Sequence, residues 1–198
     1  FQPKQMDALN EMRSGTATWF GIGGGRGSAK SACIDRIALA ELLDQPGTVS
    51  AIVMRTHGAV RKYHIEPLFR AWPELRPYYN ISNGKLRLPV GNKQFSELDI
   101  GYAENMAAVE NFFRSGNYRR VYIDQAEQFS ELELREIRKA CRWPNGGAKM
   151  LLSFNMGGAS IGFLRKIFHE LEYSDRDKPE NYKFLKLNPW DNVFWVMD

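Results

Sequence analysis

The sequence predicts an α/β fold: a mainly parallel sheet flanked by helices, with one small antiparallel excursion. Three observations predict it. Short apolar runs at 18–22, 48–54, 119–123 and 149–154 alternate with stretches whose apolar residues recur at helical spacing. The first run passes through a glycine-rich loop directly into a helical pattern. A later run, Arg119-Arg120-Val121-Tyr122-Ile123, ends in an acidic residue, Asp124.

At 198 residues, 43% of them hydrophobic and 25% charged, the chain can bury one sizeable core. The net charge of +4 and pI near 9.1 admit an anionic partner without identifying one, because the basic residues are spread widely. Cys33 and Cys141 have no CxxC or Cys/His spacing, so neither a disulfide framework nor a zinc site is indicated and a reducing compartment fits. No apolar run approaches the roughly 18 residues of a membrane helix, and no signal-peptide pattern is present. The row opens on Phe1 rather than Met, as a fragment of a longer chain would.

Taken in order, residues 3–13 read as a helix opened by Pro3 and ended at Ser14-Gly15. After the glycine-rich loop, Ile34, Ile37, Ala38 and Leu42 mark a second helix, and Gln45-Pro46-Gly47 turns the chain into the buried strand 48–54. Arg55 follows at the C-terminal end of that strand, where open α/β sheets place their ligands. Residues 57–72 carry Val60, Ile65, Leu68, Phe69 and Trp72 on one helical face, stopped by Pro73. His57 and His64 are read as helix-surface residues, since no carboxylate or cysteine is spaced with them.

Residues 78–102 change character. Asn83-Gly84 is a hairpin signal, Leu86, Leu88 and Val90 alternate, Gly91-Asn92 turns, and Phe95, Leu98 and Ile100 line the next strand. Residues 104–114 form a short helix or loop, and 131–142 a charged amphipathic helix. Its Arg135, Arg138, Lys139 and Arg142 read as a solvated face before they read as contacts to a phosphate backbone. Pro144-Asn145-Gly146-Gly147 breaks the chain ahead of the strand 149–154. A Gly157-Gly158 break, a helix over 160–170 and a short strand at 184–187 follow.

The chemistry is concentrated in a few residues. Gly24-Gly25-Arg26-Gly27-Ser28-Ala29-Lys30-Ser31 matches the phosphate-loop pattern G-x-x-x-x-G-K-[ST] except at Ala29, a mild departure if that residue has helical dihedrals. Glycines let successive N–H groups converge on phosphate oxygens, and the helix N-terminus adds favourable partial charge. Lys30 would reach the β/γ-phosphates, and the Ser31 hydroxyl would bind Mg²⁺. A strand ending in Asp124 is how P-loop nucleotidases set a carboxylate beside the Mg²⁺ and its water. The expected fold is therefore a P-loop NTPase of the additional-strand, RecA-like type.

In such nucleotidases the residue after the Asp is usually a Glu that polarises the attacking water. Here it is Gln125, which can orient water but cannot accept its proton. Either Glu127 serves as the base, or Gln125 traps the nucleotide-bound state. The second is preferred, because Glu127 lies three residues past Asp124 in a loop expected to turn away. Slow hydrolysis follows on either reading. Upstream, Gln2 and Gln5 carry amides suited to the N6/N7 edge of adenine, against an exposed helix start. Downstream, Ser153 and Asn155 close a strand where a sensor of hydrolysis would stand, against an Asx-turn.

Phe1-Gln2-Pro3-Lys4-Gln5, the loop Gly24 to Ser31, Val121-Tyr122-Ile123-Asp124-Gln125-Ala126-Glu127 and Leu151-Leu152-Ser153-Phe154-Asn155 occur in one order. That order resembles the ATPase domain of the large terminase subunit, the DNA-packaging motor of tailed bacteriophages. Asn188-Pro189-Trp190-Asp191-Asn192 looks like the segment leading out of that domain.

The resemblance implies an ATPase domain over 1–175, and a segment 176–198 leading towards a nuclease domain that the chain is too short to hold. It implies ATP and Mg²⁺ as cofactors, with Gln2 and Gln5 at the adenine and the loop Gly24, Gly25, Arg26, Gly27, Ser28, Ala29, Lys30 and Ser31 at the phosphates. Asp124 and Ser31 would serve the metal, Gln125 would stand at the catalytic glutamate position, and Ser153 and Asn155 would couple hydrolysis to movement. Arg26 would be a cis-acting finger, with Arg55, Arg119 and Arg120 as candidates for an arginine acting on a neighbouring subunit.

Implied partners are double-stranded DNA, bound through its phosphates, the portal protein, the small terminase subunit and further copies in a ring of five. The isolated domain would be a monomer, and the place of action the host cytoplasm. Two alternatives remain open: a nucleotide-dependent switch or DNA-binding module that never hydrolyses ATP, and a helicase-like ATPase, for which a second motor domain would be needed.

Overall fold

The computed structural model describes residues 1–91, 94–114, 116–155, 161–175 and 177–192. The Gly91-Asn92 turn therefore lies partly outside the described residues, and the Gly157-Gly158 break wholly so. Helix α1 (Pro3–Ser14) precedes β1 (Trp19–Gly23), the glycine-rich loop, α2 (Lys30–Asp44) and β2 (Val49–Met54). A short α3 (His57–Val60) runs through a π-helical turn (Arg61–Ile65) into α4 (Glu66–Ala71). Trp72 then leaves helical dihedrals, as the residue before a proline is pressed to do. The small strands β3 (Tyr79–Asn80) and β4 (Lys85–Val90), joined across Asn83-Gly84, lead to β5 (Gln94–Tyr102).

The second half repeats the strand–helix alternation with α5 (Met106–Phe113), β6 (Arg120–Ile123), α6 (Glu131–Ala140), β7 (Lys149–Phe154), α7 (Ile161–Arg165) and β8 (Tyr182–Lys186). These strands form one sheet in the order β3-β4-β5-β2-β6-β7-β1-β8. The pairs β2/β5, β2/β6, β6/β7, β7/β1 and β1/β8 are parallel. Only β3/β4 and β4/β5 are antiparallel, so the expected excursion is a two-strand edge and β5 belongs to the parallel sheet. Residues 182–186, inside the segment expected to lead out of the domain, supply the other edge strand beside β1.

Alternation along the strands sorts the core onto two faces. Phe20, Ile22, Ile52, Tyr122 and Leu151 pack with α1 and α2, whereas Val53, Val121, Ile123, Leu152 and Phe154 pack with α5, α6 and α7. Both cysteines are buried as free thiols in these layers. Phe95 departs from expectation: it is exposed, and the Arg87 guanidinium covers its ring at 4.0 Å. Among the described residues no helix is long and apolar enough to cross a membrane.

Candidate nucleotide site

The C-terminal ends of β1, β7 and β6 lie side by side, with β7 inserted between the strand that feeds the loop and the strand that ends at Asp124. This is the additional-strand arrangement. A cavity of about 700 Å³ opens there, lined by Arg26 to Ser31 of the loop and by Asp124, Gln125, Glu127 and Asn155. Gly24, Gly25 and Ser153 are not among its lining residues.

The loop is held in place by close backbone approach. A Cβ on Gly24 would lie 1.7 Å from the carbonyl oxygen of Leu187, so only glycine fits. Ala29 has φ 58° and ψ 33°, the left-handed region, and not the right-handed helical dihedrals that would make alanine harmless there. The alanine at that glycine position is therefore a strained residue. Lys30 follows it at the helix start, and its Nζ donates to Gly24 O at 2.9 Å, Gly25 O at 3.0 Å and Ser28 Oγ at 3.1 Å. Burial pulls its ammonium pKa down, and the carboxylates of Asp124 and Glu127 pull it up, with burial the larger effect.

Asp124 is 1% exposed and is the hub of the site. Ser31 Oγ donates to its Oδ2 at 2.5 Å, and Ser153 Oγ donates to its Oδ1. Burial would raise this carboxyl, but His64, Ser153 and Ser31 together hold its pKa below the usual range. A serine hydroxyl and a carboxylate thus converge at the cavity wall, a hard-oxygen donor pair that fits a magnesium ion sharing its other positions with water and phosphate. Among the described residues no group of three or more His, Cys, Asp or Glu side chains forms a metal centre of its own.

His64 corrects the surface reading. It is fully buried, with Nδ1 2.6 Å from Asp35 Oδ1 and Nε2 3.2 Å from Asp124 Oδ2. Burial opposes the charged ring, yet Asp35 and Asp124 outweigh it and hold the imidazole pKa up at about 10. The signal was in the spacing: His64 stands four residues from both Val60 and Leu68, which are buried on the same side. His64 is the buried residue of the π-helical turn. His57 is exposed, as expected.

Gln125 also takes left-handed dihedrals, φ 57° and ψ 48°, and its amide oxygen accepts from Gln128 Nε2 at 2.8 Å. Glu127 does not turn away, contrary to expectation. It is 7% exposed and lines the cavity, because the one-turn helix 126–128 folds the chain back beneath β7. Asn155 Nδ2, of the residue expected as a sensor, donates to its Oε1 at 3.0 Å.

Gln2 and Gln5 are buried but do not line the cavity. Gln5 Oε1 accepts from Arg36 Nη1 at 2.9 Å and from the backbone N–H of Gln2 at 3.2 Å. Gln2 Nε2 donates to Asn192 Oδ1 at 2.9 Å, and Asn192 Nδ2 donates to Gly27 O at 2.9 Å. Asn192 is a cavity residue that no local pattern announced, since the contact joins the two ends of the chain.

Two of the arginines proposed to act across subunits, Arg55 and Arg120, are committed to partners within this chain. Arg55 chelates Glu133 at 2.9 and 2.7 Å, donates to Gln128 O and Ala103 O, and stacks on Phe129 at 4.2 Å. Arg120 is 1% exposed, and Arg119 beside it stands at the N-terminal end of β6, opposite the cavity. The basic residues of α6 are committed to protein partners: Arg135 to Asp177 and Glu131, Arg138 to Cys141 O, Lys139 to Glu136 and Arg142 to Asn117.

Fold and cavity together define the class as a P-loop α/β domain of the additional-strand type. Solved structures that share this fold include large terminases. One from a thermophilic bacteriophage superposes with a TM-score of 0.75 at 17% identity, covering 98% of this chain and 47% of that one. Its complexes with ADP and ATP-gamma-S also match, with TM-scores of 0.71 and 0.72. The large terminase ATPase domain of a Thermus phage matches with a TM-score of 0.59 at 18% identity, covering 96% of this chain and 84% of that one. The large terminase of bacteriophage HK97 gives 0.61 at 14% identity, covering 93% and 38%. The chain thus spans about half the length, or less, of the whole terminases it matches. At these identities the likeness is one of fold. No protein-family model matches the sequence, and no curated protein does.

Proposed function

We propose that the chain is the ATPase domain of a large-terminase-type motor, which binds and hydrolyses ATP to drive double-stranded DNA into a viral procapsid. The observation that carries this reading is the convergence of Lys30, Ser31 and Asp124 at one cavity, in a fold shared with large-terminase structures. The neighbour's complexes with ADP and ATP-gamma-S support nucleotide binding. Ser31 and Asp124 would hold Mg²⁺, which when bound would offset phosphate charge. Lys30 would leave the loop carbonyls for the phosphates, Arg26 at the mouth would meet developing charge, and Ser153 would keep Asp124 oriented.

Gln125 can hold a water but cannot take its proton, so turnover by this chain is slow. In this reading the partners are double-stranded DNA, a portal, a small terminase subunit and further copies in a ring of five, with the isolated domain a monomer. The work is done in the host cytoplasm. Gln125 equally favours a second reading, a nucleotide-dependent switch without hydrolysis.

The test is nucleotide binding and steady-state ATP hydrolysis by the chain and its Gln125→Glu variant. A motor domain binds ATP in both forms, and the variant turns over at least about tenfold faster. Binding without turnover in either form favours the switch. Absence of binding sinks both.

A further inference from the structure

Glu127, set aside above in favour of a Gln125-trapped state, has an unusual setting. It is 7% exposed, on the turn after β6, and lines the cavity with Lys30, Asp124 and Asn155. Asn155 Nδ2 fixes Oε1 at 3.0 Å. Oε2 is buried with no hydrogen-bond partner among the described residues. A buried carboxylate oxygen without a donor is costly, and the cost falls when a ligand or its water supplies one. Burial also raises this carboxyl above the ordinary range, which makes it a better proton acceptor than an exposed glutamate.

We propose that Glu127 is the general base of this chain, accepting on Oε2 the proton of the water that attacks the terminal phosphate. The inference rests on the nucleoside-triphosphatase reading above. In the step, the water oxygen bonds to the γ-phosphorus and one of its protons passes to Glu127. The bond from the γ-phosphorus to the bridging oxygen breaks, and its electron pair leaves with the diphosphate. Gln125 orients the water but takes no proton, and Asn155 keeps the acceptor aimed.

The experiment is single-turnover hydrolysis of ATP together with binding of a fluorescent ATP analogue. It is run on the unmodified chain, Glu127→Gln, Glu127→Asp, Gln125→Glu and the Gln125→Glu/Glu127→Gln double variant. Expected are a loss of about 100-fold in kcat for Glu127→Gln with Kd within about threefold, and partial activity for Glu127→Asp. In the Gln125→Glu background the Glu127→Gln loss shrinks to less than about fivefold, because the new carboxylate takes over the proton.

Equal rates for the unmodified chain and Glu127→Gln overturn the inference. So does joint loss of binding and turnover in both Glu127 variants, which is the signature of a structural residue. An unmodified chain that binds ATP without turnover overturns it as well, and a gain in Gln125→Glu then leaves the ATPase reading standing. Failure of the unmodified chain to bind ATP removes both.

Discussion

At the N-terminal ends of β6 and β7 the sheet buries Arg120 and Lys149, whereas at the C-terminal end of β6 it buries Asp124. The first pair is tied to the main chain. Arg120 Nη2 donates to Met12 O at 2.7 Å and its Nε lies 2.8 Å from Glu41 Oε2, while Lys149 Nζ donates to the carbonyls of Glu11 and Gly15. Asp124 accepts from the Gln125 backbone N–H and also from the hydroxyls of Ser31 and Ser153, which can rotate, and Lys30 nearby rests on loop carbonyls. Buried charge at the end of the sheet away from the cavity is scaffold, and charge that lines or borders the cavity is a site.

The strongest way to break this contrast is to remove Arg120. Arg120→Met takes from buried Glu41 its nearer cation, leaving only Arg13 Nε at 3.8 Å, and costs about 3 kcal/mol of stability, read by denaturant unfolding, while nucleotide affinity in the folded fraction stays unchanged. At the other end the expectation reverses. Lys30→Ala weakens nucleotide binding by about 3 kcal/mol, on the order of 100-fold, with little change in melting temperature. If Lys30→Ala unfolds the domain or Arg120→Met abolishes binding, the division between scaffold and site is wrong.

Two smaller effects sharpen it. Arg55 draws the Glu133 pKa from 4.5 down to about 2. Because the folded value lies below the unfolded one, the pair's contribution is complete above pH 4.5 and is lost as pH falls through about 2. Glu133→Gln should therefore cost about 2 kcal/mol at pH 7, with the difference from the parent narrowing towards pH 3 in urea titrations. Ala29→Gly relieves a left-handed alanine and should stabilise the domain by up to about 1 kcal/mol at unchanged ATP affinity. A loss of stability there would show that the alanine methyl packs usefully.

The parallel sheet, the loop and Asp124 were legible because each is written locally: an apolar run, a glycine pattern, an acid at a strand end. What the sequence hid is non-local or off-period. His64 was read as a surface residue because no carboxylate is spaced with it locally, whereas Asp35 and Asp124 reach it from other elements. Glu127 was assigned to a departing loop because three residues of tight turn can reverse direction without leaving a pattern. Asn192 meets Gln2 across nearly the whole chain. Arg55 looked like a free finger because Glu133, which captures it, lies far along the sequence. Ala29 was read as harmless because dihedral sign is invisible until the backbone is built.

The junction at Asn192 has a mechanical consequence. Leu187 N donates to Gly23 O at 2.7 Å, and Asn192 clasps Gly27 O, so one short stretch of chain grips the glycine loop at both its entry and its crest. Tension on the stretch after β8 would load these two bonds directly, without first deforming the sheet. Conversely, any displacement of Gly27 by an arriving anion would be delivered to that stretch as a pull, through contacts shorter than a single helical turn.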